Sequence, residues 1–253
     1  MYRLESVRMT LCRPLATAAL ALQATVLPMA AAAQADFVPT VPATASHSSP
    51  LISRKTATVA GFLFAAALAN DRSFRMEAQE HRGNTTNAIA GFGNTFGEWR
   101  YVVPAISAGY LAGEIAGSNG LKRVMLRAGT AAALAGGVTT VLKHAVGRSR
   151  PDAAGGPDQF QPFSSSASFP SGHTAVAFAI ATAVAEETGD RWTDAAIYGA
   201  ATLTAMARVN DDRHWTSDVL IGGLLGHLSA KWVSRQLGPV RVVPGGVVGK
   251  IEF

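Results

Sequence analysis

The chain has 253 residues, of which 48% are hydrophobic and 15% charged, so it is long enough for one sizeable domain or two small ones. Its formal net charge of +5 fits an anionic substrate or an anionic membrane surface. It has no run of Lys and Arg and no alternation of basic with aromatic residues, which argues against nucleic-acid binding. The single cysteine, Cys12, leaves no pair for a disulfide.

Residues 1–35 have the organisation of a secretory signal peptide. Basic residues come first, and the apolar stretch 15–27 is shorter than the roughly 20 residues that span a bilayer. Ala33-Gln34-Ala35 matches a small-x-small cleavage site. We therefore expect export, with a periplasmic chain that begins at Asp36; an uncleaved anchor is the alternative.

The rest of the chain predicts an all-α domain. The stretch 36–54 is rich in Pro, Ser and Thr and is expected to be a disordered arm. A helical domain over 55–238 follows, a compact bundle of about six or seven helices by the spacing of its apolar residues. In the tail, 239–253, a short β-hairpin is predicted with its turn at Gly245-Gly246. The predicted helices are 56–70, 75–92, 99–117, 120–146, 172–187, 193–208 and 215–236.

The apolar segments leave the membrane question open. None offers about 18 uninterrupted apolar residues, and the run Thr56 to Asn70 has only 15. Core helices of a soluble or peripherally membrane-associated bundle explain this best. The alternative is an inner-membrane bundle whose polar positions face inward. An exposed apolar helix face would also permit a homodimer.

The first candidate motif is Lys143-x6-Arg150-Pro151. Lys143 and Arg150 are about two helical turns apart, so they can face one centre. Arg150 suits two-point contact with phosphate oxygens, and Lys143 supplies a point charge. The alternative is a basic helix end that complements the helix dipole, and we interpret Arg148 as such an exposed cation.

The second motif is Pro170-Ser171-Gly172-His173. It directly precedes an apolar helical run, so Ser171 or Gly172 is the expected N-cap, with the positive helix end aimed at an anion. His173 would then face the bound group and could donate a proton to a leaving oxygen. A plain helix start with an exposed histidine is the alternative.

The third motif is Arg208-x5-His214-x3-Asp218. At a spacing of four residues, His214 and Asp218 lie on one helical face. A carboxylate on one ring nitrogen fixes the tautomer and leaves the other nitrogen as a nucleophile. Arg208 adds a third cation. Alone, each motif is common by chance; in this order, the three predict a site that transfers a phosphoryl group through a histidine.

The other polar residues point to no second site. There is no His-Glu-x-x-His motif and no cysteine pair, so neither a metal site nor a cofactor is predicted. Asp211 and Asp212 are interpreted as a polar turn before His214. His47 and His81 are expected to be exposed, and His227 to be a hydrogen-bonded core residue. His144 adjoins Lys143 but is expected to point about 100° away from it around the helix.

These motifs resemble the signature of the superfamily of type-2 phosphatidic acid phosphatases, bacterial non-specific acid phosphatases and vanadium haloperoxidases. The chain departs from the family pattern only at Ala207, where the family usually has Ser. The resemblance implies a metal-independent phosphatase without a cofactor, in which His214 forms a phosphohistidine and Asp218 orients it. It also implies that His173 protonates the leaving alkoxide. The residues that would hold the phosphate oxygens are Lys143, Arg150, Ser171, Gly172 and Arg208.

The substrate class stays open among small phosphate monoesters, lipid phosphates and isoprenoid phosphates. An integral-membrane lipid (pyro)phosphatase or lipid-phosphate transferase would use the same residues. A vanadate-dependent haloperoxidase is typically much longer, and a non-catalytic anion-binding protein would need neither histidine. The loop 152–169, rich in Gly, Ser and Pro, is expected to be a lid over the site, with a mobile connector as the alternative.

Overall fold

The described part of the chain contains seven α-helices, which confirms the predicted all-α class. The computed structural model describes residues 50–153, 155–165, 167–236, 241–243 and 246–248, so the predicted signal peptide and most of the predicted arm lie outside the described residues. A 3-10 turn, Thr95–Gly97, separates the second helix from the third. The helices are α1 (Arg54–Glu80), α2 (Asn84–Asn94), α3 (Trp99–Ile115), α4 (Asn119–Val146), α5 (Gly172–Thr188), α6 (Arg191–Asn210) and α7 (Thr216–Gln236).

The C-terminal hairpin is present as two short antiparallel strands, β1 (Arg241–Val243) and β2 (Gly246–Val248). Val243 pairs with Gly246, so Gly246 belongs to the second strand and not to the turn as predicted.

The first two helices differ from their predicted bounds, while the other five agree to within two residues. The sequence predicted a break after residue 70, but α1 continues unbroken to Glu80 and α2 starts only at Asn84. The charged Asp71 directly follows the predicted helix end. It is buried in the structure, with only 1% of its surface exposed, because its carboxylate is paired across the bundle. Because Asp71 is neutralised by this buried ion pair, α1 continues through the position where a helix end was expected.

Helix α5 lies at the centre of the bundle, where it packs against α4, α6 and α7. Most of its residues are buried, on every face, as expected for a helix that is apolar all round. Its buried positions are mainly alanines, which join alanines of α4 and α7 in the largest core cluster. Small side chains bring the helix axes close together, and the N-terminus of α5 is thereby held against its neighbours.

Two glycines of α7 set the contact between α5 and α7. A Cβ atom at Gly222 would lie 2.5 Å from the Ser171 carbonyl oxygen, and one at Gly226 would collide with the Ala175 carbonyl oxygen. The backbones therefore meet without an intervening side chain. This contact places the first turn of α7 beside the first turn of α5.

The end of α4 is formed by Gly147, which adopts the left-handed conformation at φ 60°. Its amide donates to the Lys143 carbonyl, which closes the helix. A Cβ atom here would collide with the backbone of Gln161, so both the conformation and the space require glycine. The chain turns at this point and carries Arg148 and Arg150 back toward the bundle.

Large apolar side chains cover much of the outer surface of the helices. Phe62 is 74% exposed, Val141 68%, Ile115 89% and Trp192 71%. Among the described residues, α4 alone combines the length and the apolar composition needed to cross a membrane. An outer surface of this kind is typical of a protein that meets other apolar material.

We expect Gly226→Ala to lower the free energy of unfolding by about 1–3 kcal/mol, because the added methyl group must push α5 and α7 apart. The measurement is the melting temperature of the purified protein in detergent. Gly223→Ala is the matched control on the same helix, since its methyl group would meet only the Phe178 ring, from 3.4 Å. Equal shifts in the two variants would contradict this account of the helix contact.

Candidate active site

The structure brings the three motifs together at one end of the bundle. The end of α4 supplies Lys143, the first turn of α5 supplies His173, and the segment from α6 to α7 supplies Arg208 and His214. Lys143 and Arg208 both interact electrostatically with His173 and with His214. Arg150 interacts in the same way with Lys143 and Arg208. Lys143 and Arg208 therefore lie close to both histidines, and Arg150 lies close to these two cations.

The first turn of α5 faces this centre. Ser171 occupies the N-cap position, and its amide donates to the Asp218 carbonyl at 3.0 Å, which joins the start of α5 to α7. A Cβ atom at Gly172 would lie 3.8 Å from Lys143 Cε. The positive end of α5 thus lies beside the Lys143 side chain, where an anion would be stabilised by both.

His214 and Asp218 lie side by side in the buried part of the site. His214 is 4% exposed, and its Nδ1 lies 3.7 Å from Asp218 Oδ2. This distance is longer than a hydrogen bond. Among the described residues, His214 Nδ1 has no other partner. The contact therefore orients Nδ1 toward Asp218 and directs the other ring nitrogen, Nε2, away from it.

Asp218 is fixed by several donors. Its Oδ2 accepts from the Ser168 hydroxyl at 2.5 Å and from the Trp215 amide at 3.0 Å, and its Oδ1 accepts from Arg148 Nη1 at 2.6 Å. A carboxylate with three donors in a buried site is held in its ionised form and in one orientation. Ser168 was not identified from the sequence, where it lies in the loop between two motifs.

Arg148 was predicted to be an exposed cation, and this prediction is wrong. Its side chain is 0% exposed and lies between two carboxylates, with Nη1 on Asp218 and Nη2 on Asp71 at 2.8 Å. Nε donates to the Pro157 carbonyl at 2.8 Å. The guanidinium carbon lies 5.6 Å from the ring centroids of both Phe160 and Trp215. The helix ends before residue 148, so Arg148 points inward instead of outward.

Asp71 is a site-supporting residue that the sequence analysis missed. Besides Arg148, it accepts from the Ser217 amide at 2.9 Å and from the Ser217 hydroxyl at 2.5 Å. Ser217 also accepts from Arg148 Nη1 at 2.7 Å. Asp71 thus ties α1 to the first turn of α7. The one signal in the sequence was a carboxylate inside an apolar run.

The remaining cations are held by polar groups of the surrounding loops. Lys143 Nζ donates to the Ala167 carbonyl at 2.5 Å, and Arg208 Nη1 donates to Asn94 Oδ1 at 2.8 Å. Asp211 lies 3.9 Å from the Arg208 guanidinium. Arg208 Nε is buried and has no hydrogen-bond partner within the described part of the chain.

His173 has a carboxylate partner that the sequence did not reveal. Its Nε2 lies 3.2 Å from Glu98 Oε2, at the N-cap of α3. The backbone of Gly97 packs so closely on the His173 carbonyl that a Cβ atom would not fit there. The turn before α3 therefore positions His173 through both a side chain and the backbone.

The other polar residues are structural. Asp212, in the left-handed conformation at φ 58°, accepts two hydrogen bonds from Arg75, at 2.7 and 2.6 Å, so the predicted polar turn is anchored to α1. His81 is exposed and His227 bonds to Thr182 at 3.1 Å, as predicted, and His144 is exposed as well. No group of His, Cys, Asp and Glu in the described residues could hold a metal ion.

The predicted lid is attached to the segment after α4 by its middle and by its C-terminal end. The Ser149 amide donates to the Gln159 carbonyl and the Ser168 amide donates to the Arg148 carbonyl, each at 3.0 Å. Phe160 covers the Arg148 guanidinium, whereas Phe163 is 84% exposed. Closure of this loop stays a prediction.

The protonation state of His214 follows from its surroundings. Burial lowers the pKa of His214 to about 4. The nearby Asp218 carboxylate raises the pKa, while the positive charges of Lys143 and Arg208 lower it further. At neutral pH the ring is therefore uncharged and retains a lone pair, which a nucleophile requires.

Comparison with known proteins agrees with this arrangement. Residues 124–241 match the model of the PAP2 superfamily. It is 40% identical over 107 residues to the lipid A 1-phosphatase of Porphyromonas gingivalis, a match that covers 40% of this chain. It spans only 22% of that relative's length.

Two solved structures are similar to the bundle. One is the transmembrane PAP2 type phosphatidylglycerolphosphate phosphatase of Bacillus subtilis, with 23% identity, a TM-score of 0.53, and coverage of 70% of this chain and 94% of that one. The other is LpxE of Aquifex aeolicus, with 21% identity, a TM-score of 0.48, and coverage of 65% and 93%. The first of these likenesses shows a shared fold.

We expect Arg148→Met to lower the free energy of unfolding by about 3–5 kcal/mol, because Asp71 and Asp218 would stay buried without their cation. Asp71→Asn should destabilise the wild type but stabilise the Arg148→Met protein, since there it removes an uncompensated charge. The measurement is a double-mutant cycle of melting temperatures. Arg213→Met removes an exposed ion pair with Asp152 and is the control. A loss no larger than that of the control would refute the role given to Arg148.

Between pH 6.5 and about 4 we expect wild-type stability to fall relative to His214→Gln. In this window the unfolded histidine binds a proton that the folded one does not, so stability decreases as pH falls, by about 3 kcal/mol over the whole window. Above pH 6.5 the difference between the two proteins should be constant. The measurement is the free energy of unfolding of the wild type and of His214→Gln at several pH values, with the exposed His144→Gln variant as the control. A pH-independent difference throughout the window would show that His214 is not held neutral.

Proposed function

We propose that this protein is an integral-membrane phosphatase that removes a phosphate group from a lipid through a phosphohistidine at His214. The observation that carries the proposal is the buried, uncharged His214, which has a carboxylate beside Nδ1 and lies close enough to Lys143 and Arg208 for their positive charges to lower its pKa. An imidazole in this setting can attack phosphorus, and the developing negative charge is met by fixed positive groups.

The first chemical step follows from the positions of the two histidines. His214 Nε2 forms a bond to phosphorus while the bond from phosphorus to the ester oxygen breaks. His173 donates its proton to the leaving oxygen, and Glu98 orients it for this transfer. The imidazolium that forms at His214 is stabilised by Asp218, which Arg148 and Ser168 keep in place.

The second step returns the enzyme to its starting state. A water molecule attacks phosphorus from the side that the alcohol has left, and His173 accepts its proton. The bond between phosphorus and His214 breaks, and inorganic phosphate is released. The positively charged groups hold the equatorial oxygens through both steps. They are Lys143, Arg150 and Arg208, with the helix N-terminus at Ser171 and Gly172.

The membrane alternative is adopted in place of the soluble bundle that the sequence analysis favoured. Exposed phenylalanine, isoleucine and tryptophan side chains on the outer surface support it, as does the apolar helix α4. The matched relative is named for a lipid phosphate and the structure with the shared fold is named as transmembrane, and both support a lipid substrate. The site would then lie near the membrane surface, at one end of the bundle.

We expect carbonate-washed membranes from cells that express the full chain to release inorganic phosphate from phosphatidic acid in excess chelator. His214→Ala should lower the rate by about three orders of magnitude or more, because the nucleophile is lost. His144→Ala is the control, since His144 is exposed and adjoins Lys143 in sequence.

The outcomes separate the remaining alternatives. Transfer of phosphate to another lipid without release of inorganic phosphate would identify a transferase. Activity that survives in His214→Ala, or that chelator abolishes, would contradict the proposed mechanism. Activity in the carbonate wash, with none in the membranes, would contradict the membrane assignment.

A further inference from the structure

One amide side chain, that of Asn94, lies between Arg208 and Asp211. Its Oδ1 accepts from Arg208 Nη1 at 2.8 Å, and its Nδ2 donates to Asp211 Oδ2 at 2.7 Å. The guanidinium and the carboxylate themselves are 3.9 Å apart, at the outer limit of an ion pair. An amide can bridge the two because it carries both a donor and an acceptor. Asn94 thus satisfies both charged groups without adding a charge of its own.

The end of α2 holds Asn94 against the face of α6 that carries Arg208. Thr204 lies four residues before Arg208, on the same face of α6, and its hydroxyl donates to the Gly93 carbonyl at 2.7 Å. A Cβ atom at Gly93 would lie 2.7 Å from the Leu203 carbonyl oxygen, so the two backbones touch. These contacts immediately precede Asn94 and do not involve its side chain. The backbone at Asn94 is therefore fixed independently of the bridge that its amide makes.

The Arg208 side chain keeps donors available in this arrangement. It is 13% exposed, and its Nε is buried with no hydrogen-bond partner within the described part of the chain. A buried donor without an acceptor is unfavourable unless a ligand supplies one. Asp211 takes a further donor from the Asn210 side chain at 3.2 Å, so two amides meet its charge. The positive charge of Arg208 is thereby left for an anion in the site.

We propose that Asn94 is a positioning residue, which keeps the charge of Arg208 for the phosphate group by holding the Asp211 carboxylate apart from it. Without the amide between them, Arg208 and Asp211 would close to a direct ion pair, since they are already 3.9 Å apart. A guanidinium bonded to a carboxylate has fewer donors and less net charge for phosphate oxygens. The inference rests on the proposed function and deepens it, because it assigns what sets the strength of one phosphate-binding cation.

An exchange of the amide and the carboxylate tests this role. In the double variant Asn94→Asp/Asp211→Asn, the net charge is unchanged and both hydrogen bonds can form, but the carboxylate now bonds to Arg208. We expect the dissociation constant for inorganic phosphate to rise about tenfold or more, the effect of losing one charged contact. Titration calorimetry of the full chain in detergent measures it. Wild-type affinity in the exchange variant would overturn the proposal, because a residue that only holds helices together would tolerate the exchange.

A rescue experiment tests the same role by removing the competing carboxylate. Asn94→Ala should weaken phosphate binding, because Arg208 turns to Asp211, and adding Asp211→Asn should restore most of the affinity. A double variant as weak as Asn94→Ala would contradict the proposal. Asn87→Ala is the matched control on the same helix, since Asn87 accepts from the Asn210 side chain at 3.1 Å, and no hydrogen bond joins it to Arg208 among the described residues. A loss in Asn87→Ala equal to that in Asn94→Ala would assign the effect to loosened helix packing and refute the role of Asn94.

Phosphate binding separates this inference from the proposed function. If the wild type binds inorganic phosphate but hydrolyses no ester, the expected order of affinities among the variants would still support the role of Asn94, and only the proposed function would fail. If the wild type is active on phosphatidic acid but the exchange and rescue variants bind phosphate equally well, the inference fails and the proposed function stands. A wild type that binds no inorganic phosphate would overturn both.

Discussion

The buried guanidinium of Arg148 is the interaction on which the rest of the site depends. It joins Asp71 on α1 to Asp218 on α7 and holds the loop between α4 and α5 through Pro157. Two carboxylates buried without a cation would repel each other and become protonated. With Arg148 between them, Asp218 stays ionised and immobile. Its side chain then has a fixed position from which it can act on His214.

Asp218 is fixed in position, but its contact with His214 is not yet a hydrogen bond. At 3.7 Å the pair is slightly too long for a hydrogen bond, although Asp218 already has three other donors. Hydrogen bonds between catalytic groups are often long before a substrate binds and shorten in the complex. Because Asp218 is held from the other side, shortening must come from the His214 ring, which would turn by a small amount as phosphate binds. The fixed carboxylate would therefore guide His214, the proposed nucleophile.

The motif residues could be predicted because their geometry is local. The spacing of His214 and Asp218 within one helix turn, or of Ser171 before an apolar run, determines where those groups lie. Asp71, Glu98 and Arg148 could not be predicted because each meets its partner across a large sequence separation. The sequence predicts an exposed Arg148 and a helix end before Asp71, whereas both charged side chains are buried. A charged residue inside an apolar run was the available signal, and it led to the wrong bounds of α1.

The small residues of the core connect the fold to the proposed membrane setting. The chain contains 25 glycines, and alanines fill the main core cluster. In a bilayer, apolar side chains gain little by leaving lipid for protein, so helices associate through close packing and polar contacts. The collision that a Cβ atom at Gly226 would cause shows such packing directly. Close helix contact thus arises from the small residues of the core, and the polar network at the end of the bundle supplies the specific contacts that apolar packing lacks.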